Sequence, residues 1–271
     1  MGWRDRGVEI KTSDQIEVMR RAGLVVGHTL ELLRSAVRPG VTTGELDDIA
    51  EDAIRTAGAT PSFLGYQGFP ASICVSVNDE VVHGIPGARE LRAGDLVSLD
   101  CGAIVDGWHG DAAITVPVGE VRPELLALVA ETEAAMWAGI AAARPGGRVG
   151  DISAAVEASL RGAGRYGIVE DYTGHGIGTA MHQPPDVPNV GRPGRGARLA
   201  EGIALAVEPM VTLGSHESRV LDDDWTVVTV DGSWAAHAEH TFALTERGAW
   251  VLTALDGGEE RLGALGVRFG G

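Results

Sequence analysis

Lysine is almost absent from this 271-residue chain: Lys11 is its one example, against 22 basic residues in all. Schiff-base and pyridoxal phosphate chemistry would have to rest on Lys11, in a polar stretch near the N-terminus, which argues against both. No Gly-Lys pair exists, so a phosphate-cradling P-loop is excluded. Cysteine is scarce too. Cys74 and Cys101 are too few for a disulfide framework or a thiolate zinc site, and both sit in apolar, strand-like runs as small buried hydrophobes. Positive charge is in deficit, with 38 acids against 22 bases and a net charge of −16. That argues against a protein whose whole surface is built for nucleic acid or an anionic membrane. The opening MGWRDRGVEIKTSDQ lacks the apolar stretch of a signal peptide, and no run approaches the roughly 18 residues of a membrane helix. Met1-Gly2 opens like a myristoylation signal, but Arg6 stands where Ser or Thr belongs. The expectation is a soluble cytoplasmic protein with no DNA and no membrane partner.

What remains is ample material for a core: 44% of residues are hydrophobic and 22% charged. Thr12 and Gln15 form a capping-box pattern before a helical run, Ile16 to Val37, which Arg38-Pro39-Gly40 stops. Thr42 and Glu45 cap a second helix to about Ala57, closed by Gly58. Pro123 opens a third, to about Ala143, and after Arg144-Pro145-Gly146 a fourth runs from Val149 to Ala163. Residues 38–58 laid over 144–164 agree at eight of 21 positions, from Arg38/Arg144 to Gly58/Gly164. Shared helix punctuation in an Ala- and Gly-rich chain is one reading. A duplicated helix–helix–strand unit is the other; its period is too long for a solenoid.

Strand-like runs follow each helix pair: Ser72–Asn78, Asp95–Val105 and Ala112–Val118, then Gly202–Leu213, Trp225–Val230, His237–Leu244 and Ala249–Leu252. Strands in blocks rather than in strict alternation with helices favour an α+β fold. The reading is one catalytic domain, 1–271, with halves at about 12–120 and 121–255.

Charged residues inside apolar strands carry the functional signal. Asp100 interrupts Leu96–Val105, where an isolated carboxylate is costly unless paired, hydrogen-bonded or bound to metal. Asp106-Gly107 is a strong two-residue hairpin signal. If it is the turn, Gly102 pairs with Asp111, and Asp100 shares a face with Asp111. Diagonal neighbours of this kind lie about 7–8 Å apart, enough to flank two metal ions about 3.5–4 Å apart. Glu208, extended by Pro209, and Glu239 occupy strand candidates in the second half, and His175 lies in the glycine loop 174–178. Each alone reads as a satisfied structural residue; together Asp, Asp, His, Glu and Glu suit Mn, Fe, Co or Zn.

These segments resemble a type I methionine aminopeptidase. The resemblance rests on Tyr172-Thr173-Gly174-His175-Gly176-Ile177-Gly178 with His182 and Pro188-Asn189, on Asn78–Pro86 around His83, and on Asp95–Gly102. Val207-Glu208-Pro209-Met210 and Glu239-His240-Thr241 complete it, in order along nearly the whole chain. It implies the pita-bread fold, two pseudo-symmetric halves around two divalent metal ions (Co, Mn, Fe or Zn). Asp100, Asp111 and Glu239 would hold one ion, and Asp111, His175, Glu208 and Glu239 the other. Metal-activated water would attack the carbonyl of an N-terminal methionine, with Glu208 moving the proton. His83 and His182 would touch the scissile peptide. Phe63, Tyr66, Phe69, Cys74, Met181 and Trp225 would line the methionine pocket, though Phe69 and Met181 depart from the family's Tyr and Phe. The implied substrates are nascent chains with a small second residue, as in this chain's own Met1-Gly2. Without a zinc-binding extension or long insertion, it looks like the short bacterial form, a monomer by family expectation.

Two other readings compete. A proline-directed relative on the same fold would carry a large extra N-terminal domain, and a non-catalytic binding protein would have lost ligands. The remaining histidines, His28, His109, His216, His237 and His240, read as structural or surface groups. Arg192, Arg195 and Arg198 form the local basic stretch; as a ribosome contact it competes with a plain solvated turn.

Overall fold

A computed structural model describes residues 7–271; Met1-Gly2 lies outside them. The helices start where their caps put them. In α1 (Ser13–Ala36) Thr12 Oγ1 accepts from the Gln15 amide at 3.3 Å, and Gln15 Oε1 accepts from the Thr12 amide at 2.9 Å. Thr42 and Glu45 form the same reciprocal pair at the start of α2 (Thr43–Thr56). Pro123 takes the first position of α3 (Pro123–Ala142), and α4 (Val149–Ala163) follows the second Arg-Pro-Gly stop. A short α5 (Glu259–Ala264), unread in the sequence, ends the helices.

Helix α3 corrects one expectation. By length and composition it is apolar enough to cross a membrane, with an 18-residue window averaging a hydropathy of 1.4. Its buried Leu125, Leu128, Met136 and Ile140 pack in one cluster with Ile152, Val156 and Leu160 of α4. This is the core position that such a helix takes in a folded chain.

The strands are β1 (Thr60–Pro61), β2 (Ile73–Val77), β3 (Glu80–Val82), β4 (Leu96–Val105), β5 (Trp108–Pro117), β6 (Gly167–Ile168), β7 (Gly174–Gly176) and β8 (Gln183–Val187). After them come β9 (Ala204–Val207), β10 (Met210–Thr212), β11 (Ser218–Val220), β12 (Val227–Thr229), β13 (Ala235–His237), β14 (Glu239–Leu244) and β15 (Ala249–Val251). Among the described residues they form a nine-stranded sheet, ordered β1-β4-β5-β14-β9-β7-β8 with β2 on β4 and β15 on β14, and two three-stranded sheets. One small sheet is β13-β10-β6 and the other β11-β12-β3.

The β4–β5 hairpin turns at Asp106 and Gly107, both at positive φ (49° and 81°), as a primed two-residue turn requires. Val105 therefore faces Trp108, and Gly102 faces Asp111. Asp106 itself is a surface group, 2.6 Å from Arg21.

Two expected strands each divide. The run 202–213 splits into β9, in the large sheet, and β10, in a small one, at Glu208-Pro209. Proline has no N–H for the ladder, so pairing stops there. The run 237–244 splits likewise at Ala238 between β13 and β14, and the Ala238 amide donates to the Pro209 carbonyl at 3.3 Å. The chain thus crosses between sheets at two touching points, and Glu208 and Glu239 stand at those crossings.

Apolar residues fill both sides of this frame. Leu33, Leu46, Ile54, Val97 and Leu99 bind α1 and α2 to β4. Leu128, Ile152, Val207 and Phe242 do so for α3, α4, β9 and β14. Each fully buried aliphatic or aromatic side chain of this kind contributes about 1.5–3 kcal/mol.

Candidate active site

Every side chain expected to hold metal, touch the peptide or line the methionine pocket lines one cleft of about 320 Å³. Asp100 from β4, Asp111 from β5, His175 from β7, Glu208 after β9 and Glu239 from β14 form its polar end. Ligand atoms of Asp111, His175 and Glu239 lie within 4.8 Å of one another, and these residues are only 4%, 6% and 2% exposed. Asp100 shares a hydrogen bond with Asp111. Glu208 Oε1 sits 3.4 Å from His175 Nε2. His175, expected in a loop, is the central residue of a short strand; its Nδ1 donates to the Gly176 carbonyl at 3.0 Å, turning Nε2 toward the acids.

Burial raises all four carboxyls: Asp100 to about 7, and Asp111, Glu208 and Glu239 well up as well, with neighbouring acids adding repulsion. Burial, with His182 nearby, holds the His175 imidazole down to about 3, hence neutral and free to ligate. Asp100 Oδ1, Asp111 Oδ1 and Glu239 Oε1 are buried without a hydrogen-bond partner. Such atoms are costly unless something positive faces them. A divalent cation fits that requirement, and the oxygen-rich donor set with one imidazole suits a first-row metal.

The opposite end is apolar and aromatic. Phe63, Phe69, Cys74 and Met181 are buried together, with Tyr66 and Trp225 packed against them. Phe69 meets Trp225 edge-on at 5.1 Å. Burial pushes the Cys74 thiol far up, so it is a wall and not a nucleophile. Two histidines stand between the ends. His83, at a positive φ of 60°, lies edge-on to Tyr172, and burial holds it down to about 4. His182 shares a hydrogen bond through Nδ1 with the Tyr66 hydroxyl at 2.9 Å, its ring 4.3 Å from that of His175.

His237 corrects the sequence reading of it as a structural or surface residue. It lines the cleft at 2% exposure, its Nε2 unpartnered and 3.9 Å from Glu208 Oε2. Its signal was available: it stands two residues before Glu239, the spacing that puts strand neighbours on one face. Tyr172 and Met210 also line the cleft without having been singled out for it.

A buried acid–imidazole cluster facing an apolar pocket on this fold defines a metallopeptidase. Residues 17–246 match metallopeptidase family M24. The chain is 53% identical to methionine aminopeptidase 1 of Mycobacterium tuberculosis, over 92% of this chain and 96% of that one. It is 51% identical to the methionine aminopeptidase of Clostridium acetobutylicum, over 90% and 98%. The crystal structure of methionine aminopeptidase from Rickettsia prowazekii superposes with a TM-score of 0.89 at 40% identity, covering 91% of this chain and 99% of that one. The chain belongs to family M24, among its methionine aminopeptidases of bacterial type I, and has their pita-bread fold.

Proposed function

We propose that this protein removes the N-terminal methionine from nascent proteins and peptides, preferring a small second residue. The observation that carries the reading is the buried cluster of Asp111, His175 and Glu239 with Asp100 and Glu208, set against an apolar pocket of thioether size. Asp100, Asp111 and Glu239 would hold one divalent ion, and Asp111, His175, Glu208 and Glu239 would hold a second. Cobalt, manganese, iron and zinc all suit this set. Ions bound there would lower the pKa of a water and polarise the scissile carbonyl.

The chain's own groups do the rest. Phe63, Tyr66, Phe69, Cys74, Met181 and Trp225 take the methionine side chain, a flexible apolar group matched by aromatic edges and thioether. Such a pocket separates side chains one methylene apart by about 1–3 kcal/mol. Glu208, at the polar end of the cleft, accepts the proton of the attacking water and delivers it to the leaving amine. The hydrogen bond between the Tyr66 hydroxyl and His182 Nδ1 holds the ring in place, and His182 and neutral His83 donate to the peptide as charge develops. The protein acts as a cytoplasmic monomer built as two related halves around the site. A solvated turn is the plainer reading of the Arg192, Arg195 and Arg198 loop; loss of ribosome co-sedimentation in the triple Ala variant would make it a transient ribosome contact instead, and unchanged co-sedimentation would end that idea.

Release of free amino acid from Met-Ala-Ser and Leu-Ala-Ser, with added cobalt or manganese and again after EDTA, tests the reading. Selective methionine release, lost on chelation, is expected. Equal cleavage of both peptides would overturn the pocket assignment and point to a relative of other specificity. No release under any metal would mean a non-catalytic protein on this fold.

A further inference from the structure

The segment ahead of α1 reaches the loop that carries Met181 and His182. The Glu9 carboxylate accepts three hydrogen bonds there: from the Thr179 amide at 3.1 Å, the Thr179 hydroxyl at 2.8 Å and Gln183 Nε2 at 2.9 Å. Thr179 and Gln183 flank Met181-His182 on either side. Behind the carboxylate lies the chain's one lysine, its side chain only 1% exposed, with Nζ 3.5 Å from Glu9 Oε2 and donating to the Glu9 carbonyl at 3.0 Å. The Lys11 amide donates to the Gly202 carbonyl at 2.8 Å, which ties this segment to the body of the protein. The fit is close: a Cβ added at Gly178 would stand 2.1 Å from Glu9 Oε2 and 2.6 Å from Lys11 Cε.

A buried lysine is costly to keep and charge-assisted bonds are strong, so this arrangement holds one geometry firmly. The loop it holds, residues 177–182, joins β7 to β8, and Met181 and His182 at its β8 end line the cleft. We propose that Glu9, backed by Lys11, is a positioning residue that clamps Thr179 and Gln183 and thereby fixes the His182 imidazole against the scissile peptide. This rests on His182 touching that peptide, as assigned above. Met181 on the same loop lines the methionine pocket, so a loosened clamp also reaches KM, while the part that acts through His182 shows in kcat.

A double-variant cycle on Met-Ala-Ser cleavage tests it, with melting temperature and bound metal measured for each protein. Glu9→Ala is expected to lower kcat about tenfold or more with a smaller rise in KM, and Thr179→Val to give a smaller loss of the same kind. Combined with His182→Ala, Glu9→Ala is expected to cost nothing further in kcat, because the group it positions is gone. Losses in kcat that multiply in the double variant would overturn the proposal and leave the clamp a purely structural strap. Wild-type activity in Glu9→Ala would overturn it as well. A fully active His182→Ala would remove the His182 assignment itself, and the clamp's catalytic role with it. Should Glu9→Ala fold poorly, Glu9→Gln, which keeps an acceptor for Thr179, carries the same cycle.

Discussion

Thr241 and Asp111 are joined twice. The Thr241 hydroxyl accepts from the Asp111 amide at 3.1 Å and donates to the Asp111 carbonyl at 2.8 Å. One strand further along, the Thr115 hydroxyl does the same for His237, accepting from its amide at 2.9 Å and donating to its carbonyl at 2.7 Å. Two buried hydroxyls thus staple β5 to the segment that carries Glu239, in place of ladder bonds at the point where the sheets part.

Replacing Thr241 by Val keeps the shape and leaves two buried backbone groups unpaired. Each such group costs about 1–3 kcal/mol. The variant is expected to unfold at lower urea concentration and to bind divalent metal more weakly, since Asp111 is no longer fixed. Unchanged metal affinity by calorimetry would show that the staple serves stability alone.

Asp111→Asn should change stability in opposite directions with and without metal. Burial and the charges of Glu239 and Asp100 hold the Asp111 carboxyl well up, so a neutral amide relieves repulsion. The metal-free variant is expected to be more stable than the metal-free wild type at neutral pH. The rise in melting temperature that divalent ions give the wild type should shrink or vanish, by linkage. A variant that responds to metal like wild type would contradict the ligand assignment.

Gly23→Ala sets helix propensity against packing. In an exposed helix the change gains about 1 kcal/mol. Here the new Cβ would meet the Leu252 carbonyl oxygen at 2.2 Å, and overpacking against backbone costs typically about 1–3 kcal/mol. Net destabilisation in urea is expected, with a tilt of α1 away from residues 252–253. A more stable variant would mean that α1 can shift freely.

His240 gives a pH signature. Burial holds its imidazole down to about 4 from 6.5, while it shares a 2.8 Å hydrogen bond with Thr253 and faces Trp137. Below 6.5 the unfolded chain binds the proton and the folded chain does not, so this stabilising difference is complete above 6.5 and is lost as pH falls toward 4. His240→Gln, neutral throughout, should flatten the stability profile between those values by up to about one proton. Parallel profiles would show that another group carries the acid limb.

The most legible parts of the fold were those written in neighbouring residues. Asp106-Gly107 specified a turn, the turn specified the register, and the register put Asp100 and Asp111 on one face. Capping boxes and Arg-Pro-Gly stops did the same for the helices. The division at Pro209 was hidden because an apolar run on both sides suits a strand, and only the arrangement of the sheets shows which one each part joins. His237 was missed for a related reason. Its two-residue offset from Glu239 was in view, but in an Ala-rich run that offset marks a function only once Glu208, from a distant segment, comes within 4 Å. Glu9 lay still further from notice, since its partners Thr179 and Gln183 are 170 and 174 residues away.

The junction of β5 with β14 also governs when the molecule can work. Asp111 and Thr241 are 130 positions apart, so at about 5–20 residues per second the ribosome adds the second roughly 6–25 s after the first. Helices and the early hairpin can form in that interval, for their contacts are local. Glu239 arrives close to the end, and until it pairs with β5 the first two aspartates lack their shared partner. A chain cut short before that strand would hold most of the apolar pocket and no complete centre. Activity therefore belongs to the finished molecule, and an incomplete copy emerging among the substrates has no means to act on them.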